Sequence, residues 1–292
     1  MTDTAVYHNH PPALIPLYAR ALQAKSGKKD SPTIIPDLSA RLMGAATSTK
    51  SLPRYQSICG FQTRRRIPAT WPHILAFPLH LKLLTDNRFP LPLLGLVHLR
   101  NTITQHRDIA CGENLDIDVR FGKQESTARG IEFDLITEAY SAGKLVWEES
   151  SVNLFRQADR TEGNPGEKVS PPKLERYPNT LSIDAAESIG RQYASVSGDR
   201  NPIHLHALTA KAFGFPRAIA HGMWSKAHVL ALLEQQENWM SGAFRVSCQF
   251  KKPLFLPGTA QLNWQSGKSR WDYQLLNGTG DAPHLTGNVE WL

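Results

Sequence analysis

Gly222-Met-Trp-Ser-Lys-Ala-His-Val-Leu-Ala-Leu-Leu-Glu-Gln235 decides the fold. The run has helical length. Met223, Trp224, Ala227, Val229, Leu230, Ala231, Leu232 and Leu233 leave it little polar face. A helix that is apolar nearly all round is a buried helix. Strand-like runs follow at 244–250, 260–264, 271–276 and 285–291, with Pro257-Gly258 and Asn277-Gly278 as turns between them. One apolar helix followed by several antiparallel strands has a simple packing solution. The sheet curls around the helix and buries it against one face. The expected class is α+β, with curved antiparallel sheet wrapped around a central apolar helix.

Upstream, Asp184-Ala-Ala-Glu187 reads as an N-cap with an acid at the third helical position, opening a short helix to about Ala194. Residues 208–213 make one or two helical turns stopped by Gly214. The first half of the chain follows a similar order. Residues 71–84 are apolar over a helical length, although Pro78 should break or kink a helix and confine it mainly to one side. Strand-like runs follow at 97–105, 115–121, 130–140 and 144–155. Arg107-Asp-Ile-Ala-Cys-Gly112 parallels Lys252-Pro-Leu-Phe-Leu-Pro-Gly258: a basic residue ends a strand, a glycine turn follows, and a strand begins. The shared order points to a duplicated plan. Two such units joined edge to edge would cover each other's strand edges.

Between the halves, Asp159 to Arg176 is polar, rich in Pro and Gly, and without hydrophobic period. The expected organisation is an extension over 1–45, a first unit over 46–158, a linker over 159–179 and a second unit over 180–292. Residues 13–24 are mildly amphipathic and contain Pro16, which suits an early surface element.

The bulk composition narrows the function. The 292 residues are 41% hydrophobic and carry a net charge of +7, which suits an anionic partner. No aromatic-interleaved basic stripe points to nucleic acid. Arg64-Arg65-Arg66 and Lys251-Lys252 read as solvated surface or as a hold on an acidic cofactor or carrier protein. No apolar run approaches the ~20 residues that span a bilayer, so no membrane role is expected. The first ten residues have neither a basic nor an apolar leader region, and Cys59, Cys111 and Cys248 are widely spaced and odd in number. Both features suit reduced thiols in a cytoplasmic protein. The cysteines form no zinc-ligand cluster, and no metal is expected.

The chemistry-bearing stretch is Tyr193-Ala-Ser-Val-Ser-Gly-Asp199-Arg-Asn201-Pro-Ile-His204. It sets a carboxylate and an imidazole five positions apart around a turn. Two groups of different intrinsic pKa can exchange protons with a water and a substrate near neutral pH. Asn201 can orient one of them. Gly222 begins the apolar helix, where free N–H groups favour negative charge and the missing side chain lets a ligand approach. His206 reads as exposed, and His221 as packing or capping at the helix start, with contact to the site as the second reading.

Ser197-Gly-Asp199-Arg-Asn201-Pro202-Ile-His204, followed by Ala212-Phe-Gly214-Phe-Pro-Arg-Ala-Ile-Ala-His221-Gly222-Met223, resembles the hydratase-2 motif of the MaoC-like dehydratase family. That family includes the (R)-specific enoyl-CoA hydratases. The rest of the chain is similar to members with two tandem hot-dog folds, in which one half has lost the motif. The Asp-x-Asn-Pro-x-His arrangement occurs once here. The resemblance implies reversible hydration of 2-enoyl thioesters to (R)-3-hydroxyacyl thioesters, carried by coenzyme A or by acyl carrier protein, without a cofactor. It implies that Asp199 and His204 hold the reacting water, Asn201 supports them, and the Gly222 N–H binds the thioester oxygen. Many members carry an acid where this chain has His206, which bears on loop contacts or substrate preference.

Two other readings differ in kind. A non-catalytic acyl-thioester-binding protein would not need Asp199, Asn201, His204 and Gly222 together. A hot-dog thioesterase usually carries its carboxylate on the central helix, and residues 222–233 contain no acid. The motif-poor half is expected to form an acyl tunnel and to supply a sheet edge. Two fused halves could act as a monomer or pair as a homodimer.

Overall fold

The computed structural model describes residues 3–21, 34–93, 95–157 and 174–292. In chain order the elements are β1 (Asp3–His8), α1 (Leu14–Ala21), β2 (Leu38–Ala46), α2 (Leu52–Cys59), α3 (Trp71–Leu84), β3 (Leu96–Gln105), β4 (Asn114–Thr127), β5 (Gly130–Ser141) and β6 (Lys144–Arg156). Then come β7 (Asn179–Ala185), α4 (Ile189–Ser197), a 3₁₀ turn (Pro202–His204), α5 (Ala207–Ala212), α6 (Gly222–Leu233), β8 (Phe244–Phe250), β9 (Gly258–Ser266), β10 (Arg270–Asn277) and β11 (Pro283–Trp291).

The strands form one sheet in the order β1-β2-β4-β5-β6-β3-β8-β11-β10-β9-β7. All pairings are antiparallel except β1 with β2. Outward from the centre, β3-β6-β5-β4-β2 on one side matches β8-β11-β10-β9-β7 on the other. The halves join where Arg100–Gln105 pairs with Phe244–Gln249, so neither central strand is left with an open edge. Irregular register within β2–β4, β4–β5, β3–β6 and β10–β11 bends the sheet around its helices. This is a double hot-dog fold of the α+β class. Its core is continuous across both halves, from Leu42, Trp71 and Trp147 to Trp224, Leu262 and Trp271.

α3 and α6 are the two central helices. Nearly every side chain of α3 is buried, and the helix runs unbroken through Pro78. The expected break does not occur. Proline removes one helical hydrogen bond at a cost of about 3 kcal/mol, but burial of Ile74, Leu79, Leu81 and Leu83 around it holds the helix together. The expected cap at Asp184 is also corrected. Asp184 pairs with Thr259 inside β7, and the helix begins later, after Ser188. Residues 38–45, read from sequence as extension, lie in β2, which pairs with β4 as the counterpart of β7. Most of the expected linker, 159–173, lies outside the described residues. Tyr177, near its end, is already tied to β9: its N–H reaches Asn263 Oδ1 at 2.9 Å and its carbonyl accepts from Asn263 Nδ2 at 2.8 Å. Among the described residues, no helix is long and apolar enough to cross a membrane.

Candidate active site

The site is built where α4 ends and α6 begins. α4 stops at Gly198, which adopts φ +79°, a left-handed conformation that glycine reaches without strain. The chain then turns through Asp199 and Arg200. The Asn201 N–H donates to Asp199 Oδ1 at 3.1 Å, and Pro202 starts the 3₁₀ turn that ends at His204. The Asn201 side chain caps this turn by accepting from Ile203 N–H at 3.4 Å. Its carboxamide therefore serves the turn, and its backbone serves the carboxylate.

His204 is 9% exposed, and its Nδ1–H donates to the Ile219 carbonyl at 2.8 Å. That bond fixes the tautomer and leaves Nε2 as an acceptor. Burial lowers the His204 pKa, with Asp199 and the Ile219 carbonyl opposing, so the ring is neutral near pH 7. Asp199 is 33% exposed at its side chain. Burial would raise its pKa, but His221, His204 and the Asn201 N–H outweigh that, with a smaller contribution from His73 of α3. The result is an anionic carboxylate beside a neutral imidazole acceptor.

His221 lies in the same cluster; the sequence read it first as packing or capping and second as touching the site. It makes no side-chain cap for α6. Its ring stacks on His204 with centroids 3.8 Å apart, and Nε2–H donates to the Asp199 carbonyl at 3.0 Å. Burial, then the neighbouring His204, lowers its pKa to about 3. Among the described residues, neither its Nδ1 nor the hydroxyl of nearby Tyr193, both buried, has a hydrogen-bond partner. Such atoms cost about 1–3 kcal/mol each, a burden typical of functional ground. His206, two residues past His204, caps α5 through Leu208 N–H at 3.2 Å.

Because α6 starts without a side-chain cap, the Gly222 N–H has no partner within the helix. The positive end of the helix dipole adds to its pull on an anion. A Cβ at this position would lie 2.9 Å from Phe250 Cε1, so only glycine lets the Phe250 ring pack this closely on the helix start. Behind Phe250 sits His98 of the first half, with ring centroids 4.9 Å apart.

Ligand-capable atoms of Asp199, His204 and His221 all lie within 4.8 Å of one another. A metal ion could use such a trio. It equally suits a water held between a carboxylate and an imidazole, beside a backbone donor for a developing oxyanion.

Sequence reasoning gave the first half a tunnel and a sheet edge but named none of its residues near this region. Phe77 Cδ1 lies 3.5 Å from where a Gly198 Cβ would stand, so α3 walls the loop before Asp199. One turn earlier on α3, His73 Nδ1 pairs with buried Glu149 at 2.9 Å. Asn101 Nδ2 donates to the same carboxylate at 2.6 Å, and its Oδ1 accepts from Lys226 Nζ of α6. Burial would raise the Glu149 pKa, but His73, His80 and Asn101 hold it at about 2. The signal was present: His73, His80 and Lys226 are buried polar residues on mostly apolar helices. Arg66, one of the basic triplet, is spent on Asp108 at 3.0 Å and Glu234 at 3.7 Å.

The MaoC like domain matches this chain over residues 167–288, which include the whole cluster. The chain is 36% identical over 241 residues to 3-hydroxyacyl-thioester dehydratase X of Mycobacterium tuberculosis, covering 82% of this chain and 84% of that one. It superposes on the crystal structure of HtdX from the same organism with a TM-score of 0.75 and 34% identity, covering 86% of this chain and 99% of that one. A shorter segment is 44% identical over 114 residues to fatty acid synthase subunit beta of Saccharomyces cerevisiae, covering 35% of this chain and 5% of that one.

Proposed function

The chain belongs to the MaoC-like dehydratase family of hydro-lyases, and on that premise we propose that it interconverts 2-enoyl and (R)-3-hydroxyacyl thioesters at one site per chain. The observation that carries this reading is the cluster of Asp199, His204 and His221 within 4.8 Å at the uncapped start of α6. The Asp199 carboxylate and His204 Nε2 are two acceptors for one water. As the water oxygen bonds to C3, one of them takes its proton. That proton is returned to C2, so the addition balances. Negative charge builds on the thioester oxygen as the C2–C3 double bond is lost. The Gly222 N–H meets that charge, and loss of one such donor typically costs about 3–4 kcal/mol of barrier. Proton transfer by the dyad contributes about 10²–10⁴-fold. His221 holds the Asp199 backbone and shields His204, and Asn201 shapes the turn between them.

The motif-poor half acts as scaffold and wall: it pairs with β8 and sets Phe77 against the Asp199 loop. Coenzyme A and acyl carrier protein both suit a chain of charge +7. Similarity to a fatty acid synthase subunit keeps the carrier-bound substrate as a second reading. The test is hydration of crotonyl thioesters of coenzyme A and of acyl carrier protein, with longer 2-enoyl chains and chiral resolution of the product. The reading expects (R)-3-hydroxyacyl product from at least one carrier. No hydration of either, or an (S) product, contradicts it.

A further inference from the structure

We propose that Tyr18 of α1 is a positioning residue for Asp199. The proposal rests on the dyad reading above and adds a residue that lies 180 positions away from the motif. The Tyr18 hydroxyl donates to the Gly198 carbonyl at 2.7 Å and accepts from the Arg200 N–H at 2.8 Å. One oxygen thus ties the peptide groups on both sides of Asp199. Leu14, one turn earlier on α1, reaches within 2.7 Å of where a Gly198 Cβ would stand. α1 itself rests on α3, so the clamp is anchored in the first half.

The loop needs such a clamp. Gly198 ends α4 in a left-handed conformation, and Pro202 cannot donate a backbone hydrogen bond to steady the turn. Between them, Asp199 must keep its carboxylate beside His204 and its carbonyl on His221. Displacement of a reacting group by about 1 Å can cost about 10²-fold in rate. A tyrosine hydroxyl that donates and accepts at once fits two peptide groups of opposite polarity. Burial, then the Asp199 charge, raises the Tyr18 pKa well above its ordinary value, so the hydroxyl keeps the proton it donates.

Tyr18→Phe removes both bonds and keeps the ring. With crotonyl thioester as substrate, kcat should fall about 10–100-fold while KM stays within about threefold. The acid limb of the kcat profile should move to higher pH, because a freed Asp199 loses the neighbours that hold its pKa down. A purely structural role would lower the folded fraction and leave that limb in place. Unchanged kcat, or a loss matched by unfolding with the limb unmoved, overturns the proposal. Hydrogen exchange at the Arg200 amide gives a readout without substrate. Loss of its protection in Tyr18→Phe supports the clamp even if wild type hydrates no enoyl thioester, and retained protection overturns it.

Discussion

Tyr55-Gln-Ser-Ile-Cys-Gly60 and Tyr193-Ala-Ser-Val-Ser-Gly198 are the same device used twice. Each is the end of a helix, α2 or α4, and each closes on a left-handed glycine, with φ +87° and +79°. Each glycine faces the central helix of the opposite half: Gly60 meets His228 of α6, and Gly198 meets Phe77 of α3. The two tyrosines meet near the middle of the molecule, with ring centroids 6.1 Å apart. After the glycine the halves diverge. Phe61 packs against Tyr55, whereas Asp199 faces two imidazoles. At the starts of the central helices, Thr70 takes the Tyr55 hydroxyl at 2.7 Å, while His221 stacks on His204. The Gly60 carbonyl is held by Gln235 at 3.2 Å, and that of Gly198 by Tyr18. The glycine-capped helix is thus common to both halves, and the residues just beyond it differ.

The difference between the halves can be broken most sharply at His204. His204→Gln keeps a polar side chain but removes the imidazole acceptor. Hydration should slow by about 10²–10⁴-fold with the fold intact, checked by steady-state kinetics beside circular dichroism. Gly222→Ala should come next. The added methyl presses Phe250 and narrows the approach to the N–H, so kcat should drop about 10–100-fold. Its counterpart in the first half, Trp71, already fills the helix start and is wholly buried. His221→Gln should cost about tenfold in kcat, because the Asp199 carbonyl keeps a donor but His204 loses its stacking partner.

The remaining prediction is read in stability, not in rate. Burial lowers the pKa of His80 and His221 to about 3 and that of His98 to about 4. Unfolded histidine titrates near ~6.5. These groups therefore contribute stability above about pH 6.5, and the contribution is lost as pH falls through about 4 for His98 and about 3 for His80 and His221, at up to ~1.4 kcal/mol per pH unit for each. Thermal unfolding should show Tm falling from pH 7 to pH 5. His221→Gln should blunt the fall but not abolish it, since His80 and His98 lie in the first half. A flat Tm over this range would contradict the assignment of neutral buried imidazoles.

Much of this is legible in residue order. The apolar runs mark α3, α6 and eight strands, all but β4 close to their observed bounds, because hydrophobic period survives in both buried helices and half-buried strands; β4 runs on to Thr127, beyond its expected end at Phe121. Asp199, Asn201, His204 and Gly222 lie within one short motif, and the structure brings them to one place. The features that residue order hides depend on distance. β2 alternates Leu38, Ala40 and Leu42 with Ser39 and Arg41 only briefly before Gly44, and its place is fixed by pairing with β4 some seventy residues away. Pro78 reads locally as a breaker, but tertiary burial decides its helix. Tyr18 and the Glu149–His73 pair approach the site only through folding, so no local spacing marks them. The echo of Tyr-x-Ser-x-x-Gly is readable, yet its meaning rests on the residue after each glycine, Phe61 in one half and Asp199 in the other.

The most direct measurement sets Asp199→Asn beside Phe61→Leu, with kcat for enoyl-thioester hydration expressed per folded molecule. One working site in the second half predicts at least about a hundredfold loss for Asp199→Asn. It predicts wild-type kcat for Phe61→Leu, whatever that change does to Tm. An Asp199→Asn enzyme within about twofold of wild type would contradict a catalytic role for this carboxylate.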